Sequence, residues 1–260
     1  MSLRRITVER YVTPLREGGS MPAVVEADDL GLYVLKFRGA GQGVKALIAE
    51  LVAGELARAL ELPVPEIVLA DLDPELARTE ADPEIQELVR ASGGLNLALD
   101  YLPGAANFDA ASTIEVPPEL ASRIVWFDAF VSNVDRSTRN PNLMLWHRRL
   151  WLIDHGAALY IHHGWDGSAD NAGQPFKRIA DHVLLRWADA VGEVDADMAA
   201  RLTPAVIEGV LALVPDAWLE ADTTLPGAAG WRAAYTRYLC ERLRLRAAFV
   251  AEAERAHALL

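Results

Sequence analysis

Cysteine is nearly absent. Cys240 is the single one in 260 residues, so the chain has no internal disulfide and no cysteine-based zinc cage. Long apolar runs are absent too. No stretch reaches 18 apolar residues without a charge, which excludes a membrane-spanning helix. The opening MSLRRITVERYV has two arginines but no apolar core behind them, so it does not read as a signal peptide. Positive charge is scarce: 25 Lys and Arg face 37 Asp and Glu, for a net charge of −12. That balance argues against an extended footprint on DNA or RNA, which needs a basic surface, but it leaves room for a nucleotide at a local positive site. Internal repeats and low-complexity tracts are missing as well. What is present is 52% hydrophobic residues, enough for a sizeable core in one large domain or two small lobes sharing a cleft. A cytoplasmic protein is expected.

The first third reads as strands with one helix. Gly31 to Phe37 is aromatic, β-branched and apolar, and follows a turn cluster at Asp28 and Asp29. A looser strand, Ala23 to Ala27, precedes it. Apolar residues at 47, 48, 51, 52, 56, 59 and 60 recur at helical spacing, so Val44 to Leu60 is a helix, stopped by Leu62-Pro-Val-Pro65. Short strands follow at Ile67 to Ala70 and Leu95 to Tyr101, separated by an acidic segment with a short surface helix. Beyond Pro103-Gly104 the pattern is mainly helical: Pro118 to Val131, then 178–191, 203–213 and 230–258. Between these lie a polar loop over 133–142 and a hairpin, Leu143 to Trp146 and Leu150 to Ile153.

The densest chemistry is in Asn133-Val-Asp-Arg-Ser-Thr-Arg-Asn-Pro-Asn142, followed by Leu152-Ile-Asp-His-Gly156. Asp135 and Asn140 are five apart in a polar loop that a buried helix enters and a hairpin leaves. Asp154 ends an apolar strand fourteen residues later. Phosphoryl transfer needs such a set: one carboxylate to orient the acceptor hydroxyl, and an amide oxygen with a second carboxylate to hold a divalent cation against phosphates. On these residues the chain resembles the protein-kinase-like superfamily and, within it, the HipA-like kinases. The pattern N-x-D-R-x-x-x-N-P-N is similar to the compact HipA-like group and also to phosphatidylinositol 3-/4-kinases. The resemblance implies an ATP-dependent enzyme with Asp135 as catalytic residue and Asn140 and Asp154 as Mg2+ ligands. It implies an α+β, bilobal fold: residues 1–101 as an N-lobe with an antiparallel sheet and one helix, and 102–260 as a mostly helical C-lobe. The chain departs from eukaryotic protein kinases in reading NVD for HRD and DHG for DFG, which leaves the packing around His155 open.

Strand alternation puts Tyr33, Leu35 and Phe37 on one face and Val34 and Lys36 on the other. Both faces are largely apolar, so Lys36 either meets an anion or snorkels from an edge. The resemblance places it against the ATP phosphates, paired with a helix glutamate. Glu50 and Glu55 are the candidates, and Glu50, on a small-residue face with Ala46, Ala49, Ala53 and Gly54, is preferred. Gly18, Gly19 and Ser20 form a loop before the lysine strand that can fold over phosphates through backbone N–H groups or serve as a plain turn. It is not a Walker-type loop. The cluster Gly39 to Gly43 is read as a helix entry. Residues 97–104 resemble an interlobe hinge, with Leu99 and Tyr101 as candidate adenine contacts.

Other features read as structural. His162 and His163 lack the companions of a zinc site. Arg136 and Arg139 either meet phosphate or pair with carboxylates such as Asp128. The seven tryptophans belong to packing, and the helices after about 195 carry no motif. The function expected from the resemblance is a HipA-like serine/threonine kinase with a protein as phosphate acceptor. The alternatives are a lipid or small-molecule kinase, and a nucleotide-binding pseudokinase or scaffold. The resemblance also implies an antitoxin-like partner protein. Ser112, Thr113, Ser132, Ser137 and Thr138 are equivalent candidates for self-phosphorylation.

Overall fold

The computed structural model describes residues 2–15, 21–41, 43–111 and 114–260. Five strands close into a barrel: β1 (Arg5–Pro14), β2 (Ala23–Ala27), β3 (Leu32–Lys36), β4 (Ile67–Leu72) and β5 (Gly94–Asp100), in the order β1-β2-β3-β5-β4. Neighbours are antiparallel except for the closing pair, where Arg5 to Thr7 run parallel to Leu69 to Asp71. The expected antiparallel sheet is therefore corrected to a closed mixed barrel. The strand that closes it, β1, escaped the sequence because only Ile6 and Val8 of its ten residues are buried, too few to show an alternation.

Alternation sets what the barrel holds. Ile6, Val8, Val25, Tyr33, Leu35, Phe37, Val68 and Ala98 form one apolar cluster, joined by Ile85, Leu88 and Val89 of helix α2 (Pro83–Ala91). The opposite face of β4 and β5, with Ile67, Leu97 and Leu99, belongs to a second cluster that continues through helix α1 (Val44–Ala59) and the helices of the chain's second half. Helix α1 is buried along most of its length, which explains its long apolar run. Gly54 allows its close approach to the barrel, since a Cβ there would lie 2.4 Å from Ile67 Cδ1.

The second half begins with a short strand β6 (Ala106–Asn107) and helix α3 (Pro118–Val131). The hairpin β7 (Leu143–Trp146) and β8 (Arg149–Leu152) follows, pairing Leu143 with Leu152. Helices α4 (Val191–Arg201), α7 (Gly227–Arg244) and α8 (Ala247–His257) pack against α3, while α5 (Pro204–Leu211) and α6 (Asp216–Leu219) pack against α7 and α1. Trp126, Trp218 and Trp231 are buried in that core.

The helix expected over 178–191 is replaced by two 3-10 turns, Lys177–Asp181 and Leu185–Trp187. The N–H groups an α-helix would need are spent elsewhere: Val183 N–H donates to Arg136 O at 3.1 Å and Leu184 N–H to His182 Nδ1 at 3.0 Å. The expected helix 230–258 is split into α7 and α8 near Arg246, whose guanidinium turns to Asp195 at 3.0 Å. Helix α4 was not legible because only Val191 and Met198 of its residues are buried. Among the described residues, no helix is long and apolar enough to cross a membrane.

Two buried polar groups organise this half. Arg242 of α7 donates to Ala129 O and Phe130 O at 2.6 Å each, to Ala172 O at 3.0 Å and to Gln174 O at 3.2 Å. It thereby satisfies carbonyls in the last turn of α3, which have no intrahelical partner. His162, in the 3-10 turn Tyr160–His162, shares a hydrogen bond with Tyr235 Oη at 3.0 Å and is buried. Burial first, then the charges of His163 and Lys45, push its pKa down to about 3, against the opposing pull of Asp222. It is neutral in the folded protein.

Both groups generate tests. Arg242→Met leaves several buried carbonyls unpaired and is expected to cost about 3 kcal/mol or more in urea unfolding. An unchanged midpoint would show that water replaces the guanidinium. For His162 the unfolded chain binds a proton below pH 6.5 and the folded one does not until about 3. Its contribution is therefore full above pH 6.5 and is lost as pH falls through that window, by up to about 1.4 kcal/mol per pH unit. His162→Phe is expected to flatten stability against pH by that amount between pH 6 and 4, whatever its effect on absolute stability.

Candidate active site

Helix α3 delivers the polar loop. Its end is marked by Ser132 in left-handed geometry (φ 54°), and the chain turns back so that Asn133 N–H donates to Asp128 O at 2.9 Å. Asn133 Oδ1 then accepts the Asp135 N–H at 3.2 Å. Asn140 Nδ2 donates to Asp135 Oδ2 at 2.8 Å, so the two residues five apart do meet. Asn142, with φ 48°, braces the same aspartate: its Nδ2 lies 3.1 Å from Asp135 O and 3.4 Å from Asp135 Oδ2. The hairpin returns the chain beside this loop, where Ile153 N–H donates to Asn142 O at 3.1 Å. The next residue, Asp154, again takes a left-handed conformation (φ 54°) that turns it off the strand direction. Two non-glycine residues in this region of backbone space on adjoining segments each carry a conformational cost that the surroundings must offset.

Lys36 arrives from the barrel. It lies on the face opposite Tyr33 and Leu35, beside Leu97 of β5. Its Nζ is 2.6 Å from Asp154 Oδ1 and 3.4 Å from Glu50 Oε2. Glu50 is buried on α1, whereas Glu55 pairs with Arg58 at 3.2 Å. The structure thus brings Glu50 to the lysine, as preferred from the small-residue face. Burial by itself would lower the Lys36 pKa, but the charges of Glu50 and Asp154 outweigh it and raise it. Burial likewise opposes ionisation of Glu50, and Lys36 with His155 overcomes it, holding the carboxyl well below its ordinary range. Both groups are charged at neutral pH. Among the described residues neither Glu50 oxygen has a hydrogen-bond partner: the nearest polar atoms are Lys36 Nζ at 3.4 Å and His155 Nδ1 at 3.5 Å. A fully buried carboxylate with no hydrogen bond of its own is costly, and such groups concentrate where a ligand is handled. His155 is buried edge-on against Phe127.

Under the loop lies a polar cluster. Asp128 is buried and accepts from Asn133 Nδ2 at 3.0 Å, Arg136 Nε at 2.6 Å and His182 Nε2 at 2.9 Å. Burial pushes its pKa up, and Arg136, then His182, reverse this and hold it well below the carboxylate range. Sequence reasoning named Asp128 only as a partner for Arg136 and missed His182 altogether. The one signal for Asp128 was a charge inside the apolar run Ile124 to Val131. Nothing marked His182, because its role depends on a segment fifty-four residues away.

The remaining expected residues are placed as follows. Leu99 is buried between Val34 and Ile67 on the face that carries Lys36, and the Tyr101 N–H is committed to Leu32 O at 3.0 Å. Gly18, Gly19 and Ser20 lie outside the described residues, as do Ser112 and Thr113. Among the described residues no group of three His, Cys, Asp or Glu converges on a metal position. The candidate ligands carry oxygen donors, the Asp154 carboxylate and the Asn140 amide oxygen, on two segments joined by the Ile153 N–H to Asn142 O bond. Such a sparse oxygen set fits a hard cation that takes its other ligands from phosphates and water.

Comparison with known proteins gives the following. A family model described as HipA-like kinase matches residues 8–240. The proinflammatory kinase CtkA of Helicobacter pylori is similar in structure, with a TM-score of 0.55 at 12% identity over 96% of this chain and 98% of that one. A Golgi casein kinase with Mn/ADP bound aligns with a TM-score of 0.48 at 12% identity, over 99% of this chain and 75% of that one. No curated protein sequence matches the chain.

Proposed function

The chain belongs to the HipA-like kinase family, and on that premise we propose that it transfers the terminal phosphate of Mg-ATP to a serine or threonine hydroxyl of a protein. The observation that carries the reading is the convergence of Lys36 and Glu50 with Asp154, more than a hundred residues further along the chain, beside a loop in which Asp135 and Asn140 are already joined. In this reading the two halves of the chain act as lobes around a nucleotide cleft. Lys36, kept cationic by Glu50, binds the phosphates as a point charge. Asp135, oriented by Asn140 and Asn142, accepts a hydrogen bond from the acceptor hydroxyl and draws it into line. Asn140 and Asp154 hold Mg2+, which would neutralise charge developing on the transferring phosphoryl group. The apolar face beside Lys36, with Leu97 and Leu99, and the segment around Tyr101 offer an apolar setting for the base.

An active enzyme is favoured over a pseudokinase by the way the DHG departure is absorbed. His155 packs against Phe127 and sits 3.5 Å from Glu50, and Asp154 still reaches Lys36 at 2.6 Å.

Intact-mass spectrometry after incubation with Mg-ATP and a mixed protein acceptor should show phosphate-sized gains, on the chain or on the acceptor, for wild type and not for Asp135→Ala. The Asp135→Ala variant should still bind nucleotide, whereas Asp154→Ala should lose the metal-dependent part of that binding with its circular dichroism unchanged. Wild-type turnover by Asp154→Ala would remove the central assignment.

A further inference from the structure

Arg136 follows the proposed catalytic aspartate directly and is buried, at 2% exposure. A guanidinium in that position is too deep to serve as a surface contact for phosphate or acceptor. Its hydrogen bonds point inward. Nε donates to Asp128 at 2.6 Å, and Nη1 donates both to Asn142 O and, at 3.2 Å, to Ile153 O. Those two carbonyls belong to the residue that braces Asp135 and to the residue just before Asp154. One side chain therefore ties the end of the Asp135–Asn140 loop to the strand that carries Asp154.

The support beneath it is equally specific. His182 Nδ1 accepts the Leu184 N–H at 3.0 Å, so its proton is on Nε2, which donates to Asp128 at 2.9 Å. Burial pushes the His182 pKa below its ordinary value even with Asp128 beside it. The histidine is neutral, and Asp128 and Arg136 balance as one buried anion and one buried cation. Burying such a pair offers little net stability over an apolar pair of the same volume. The planar guanidinium fork of Arg136 does something an apolar group cannot: with Nε held on Asp128, its Nη1 fixes the separation of two carbonyls on two segments. Both segments contain a non-glycine residue with positive φ, Asn142 at 48° and Asp154 at 54°, which need external restraint.

We propose that Arg136 is a positioning residue that sets the spacing of Asn140 and Asp154, and through it the metal dependence of nucleotide binding, with Asp128 and His182 holding it in place. This rests on the reading of Asn140 and Asp154 as the metal-holding pair. Groups that orient metal ligands without touching the metal typically cost 10–100-fold in metal affinity when removed.

The test is a titration of Mg2+ at fixed ADP, read as the rise in melting temperature, for wild type, Asp154→Ala and Arg136→Lys, alongside ADP binding in EDTA. Arg136→Lys keeps a cation for Asp128 but loses the fork. The expected result is an Mg2+ requirement raised by roughly 10–100-fold with metal-free ADP binding unchanged. A lower melting temperature with an unaltered Mg2+ requirement would mean that the residue is structural only, and the proposal would fall. Should Arg136→Lys not fold, His182→Asn takes its place: a smaller shift in the same direction supports the proposal, and an unaltered requirement overturns it. A wild type whose ADP binding ignores Mg2+, matching Asp154→Ala, would refute the metal-pair reading and this proposal together. A wild type that responds to Mg2+ as strongly as Arg136→Lys does would refute this proposal alone.

Discussion

A single buried negative charge, Asp128, is the constraint around which the second half of the chain is arranged. It sits in the last turn of α3 with no exposure, and a carboxylate there must be matched or it would unfold the helix. Three groups match it, each from a different direction: Asn133 at the start of the loop, Arg136 within it, and His182 from a segment that crosses beneath. Because Arg136 must reach Asp128, the loop folds under itself, and Asp135, one residue earlier, is presented at the edge. Because His182 must reach Asp128 as well, residues 177–187 give up helical hydrogen bonds and run as 3-10 turns along the loop. The loop over 133–142 and its irregular neighbour are two consequences of one electrostatic requirement.

The barrel and α1 solve a different problem, which is to hold a cation and an anion in an apolar place. Lys36 is carried on a strand whose other face fills the barrel, so its direction is set by alternation and by the packing of Tyr33 and Leu35. Glu50 is carried on a helix buried along most of its length, and the close contact of Gly54 with Ile67 draws that helix onto the sheet. Neither charge is stable alone at that depth. Together with Asp154 they are, and the pairing ties the barrel, the helix and the hairpin into one unit. At the N-terminal end of α1, Lys45 strengthens this tie by reaching His162 O at 2.7 Å and Asp222 at 2.8 Å. The helix that presents Glu50 is therefore anchored to the second half of the chain at its first turn. At its far end Arg123 caps it by donating to Leu60 O at 2.7 Å.

Membership of the HipA-like kinase family and a shared fold with a bacterial kinase at 12% identity indicate that what such chains keep is an arrangement rather than a sequence. His155, which follows Asp154, faces the core and packs edge-on against Phe127.

What the sequence determined by itself was local. The helix over 118–131, the hairpin around residues 147–149 and the strand bearing Lys36 follow from periodicities of 3.6 and 2, which need only neighbouring residues to be read. The set Asp135, Asn140 and Asp154 was legible because all three lie within twenty residues of one another, between recognisable elements. Tertiary structure decided everything that depends on what stands opposite in space. It chose Glu50 over Glu55, closed the sheet by pairing β1 with β4 across more than sixty residues, and recruited His182 to a carboxylate fifty-four residues away. It also turned an expected helix into 3-10 turns. The physical reason is the same in each case: a buried charge or an open strand edge is satisfied by the nearest suitable partner in three dimensions, and sequence periodicity carries no information about which partner that will be.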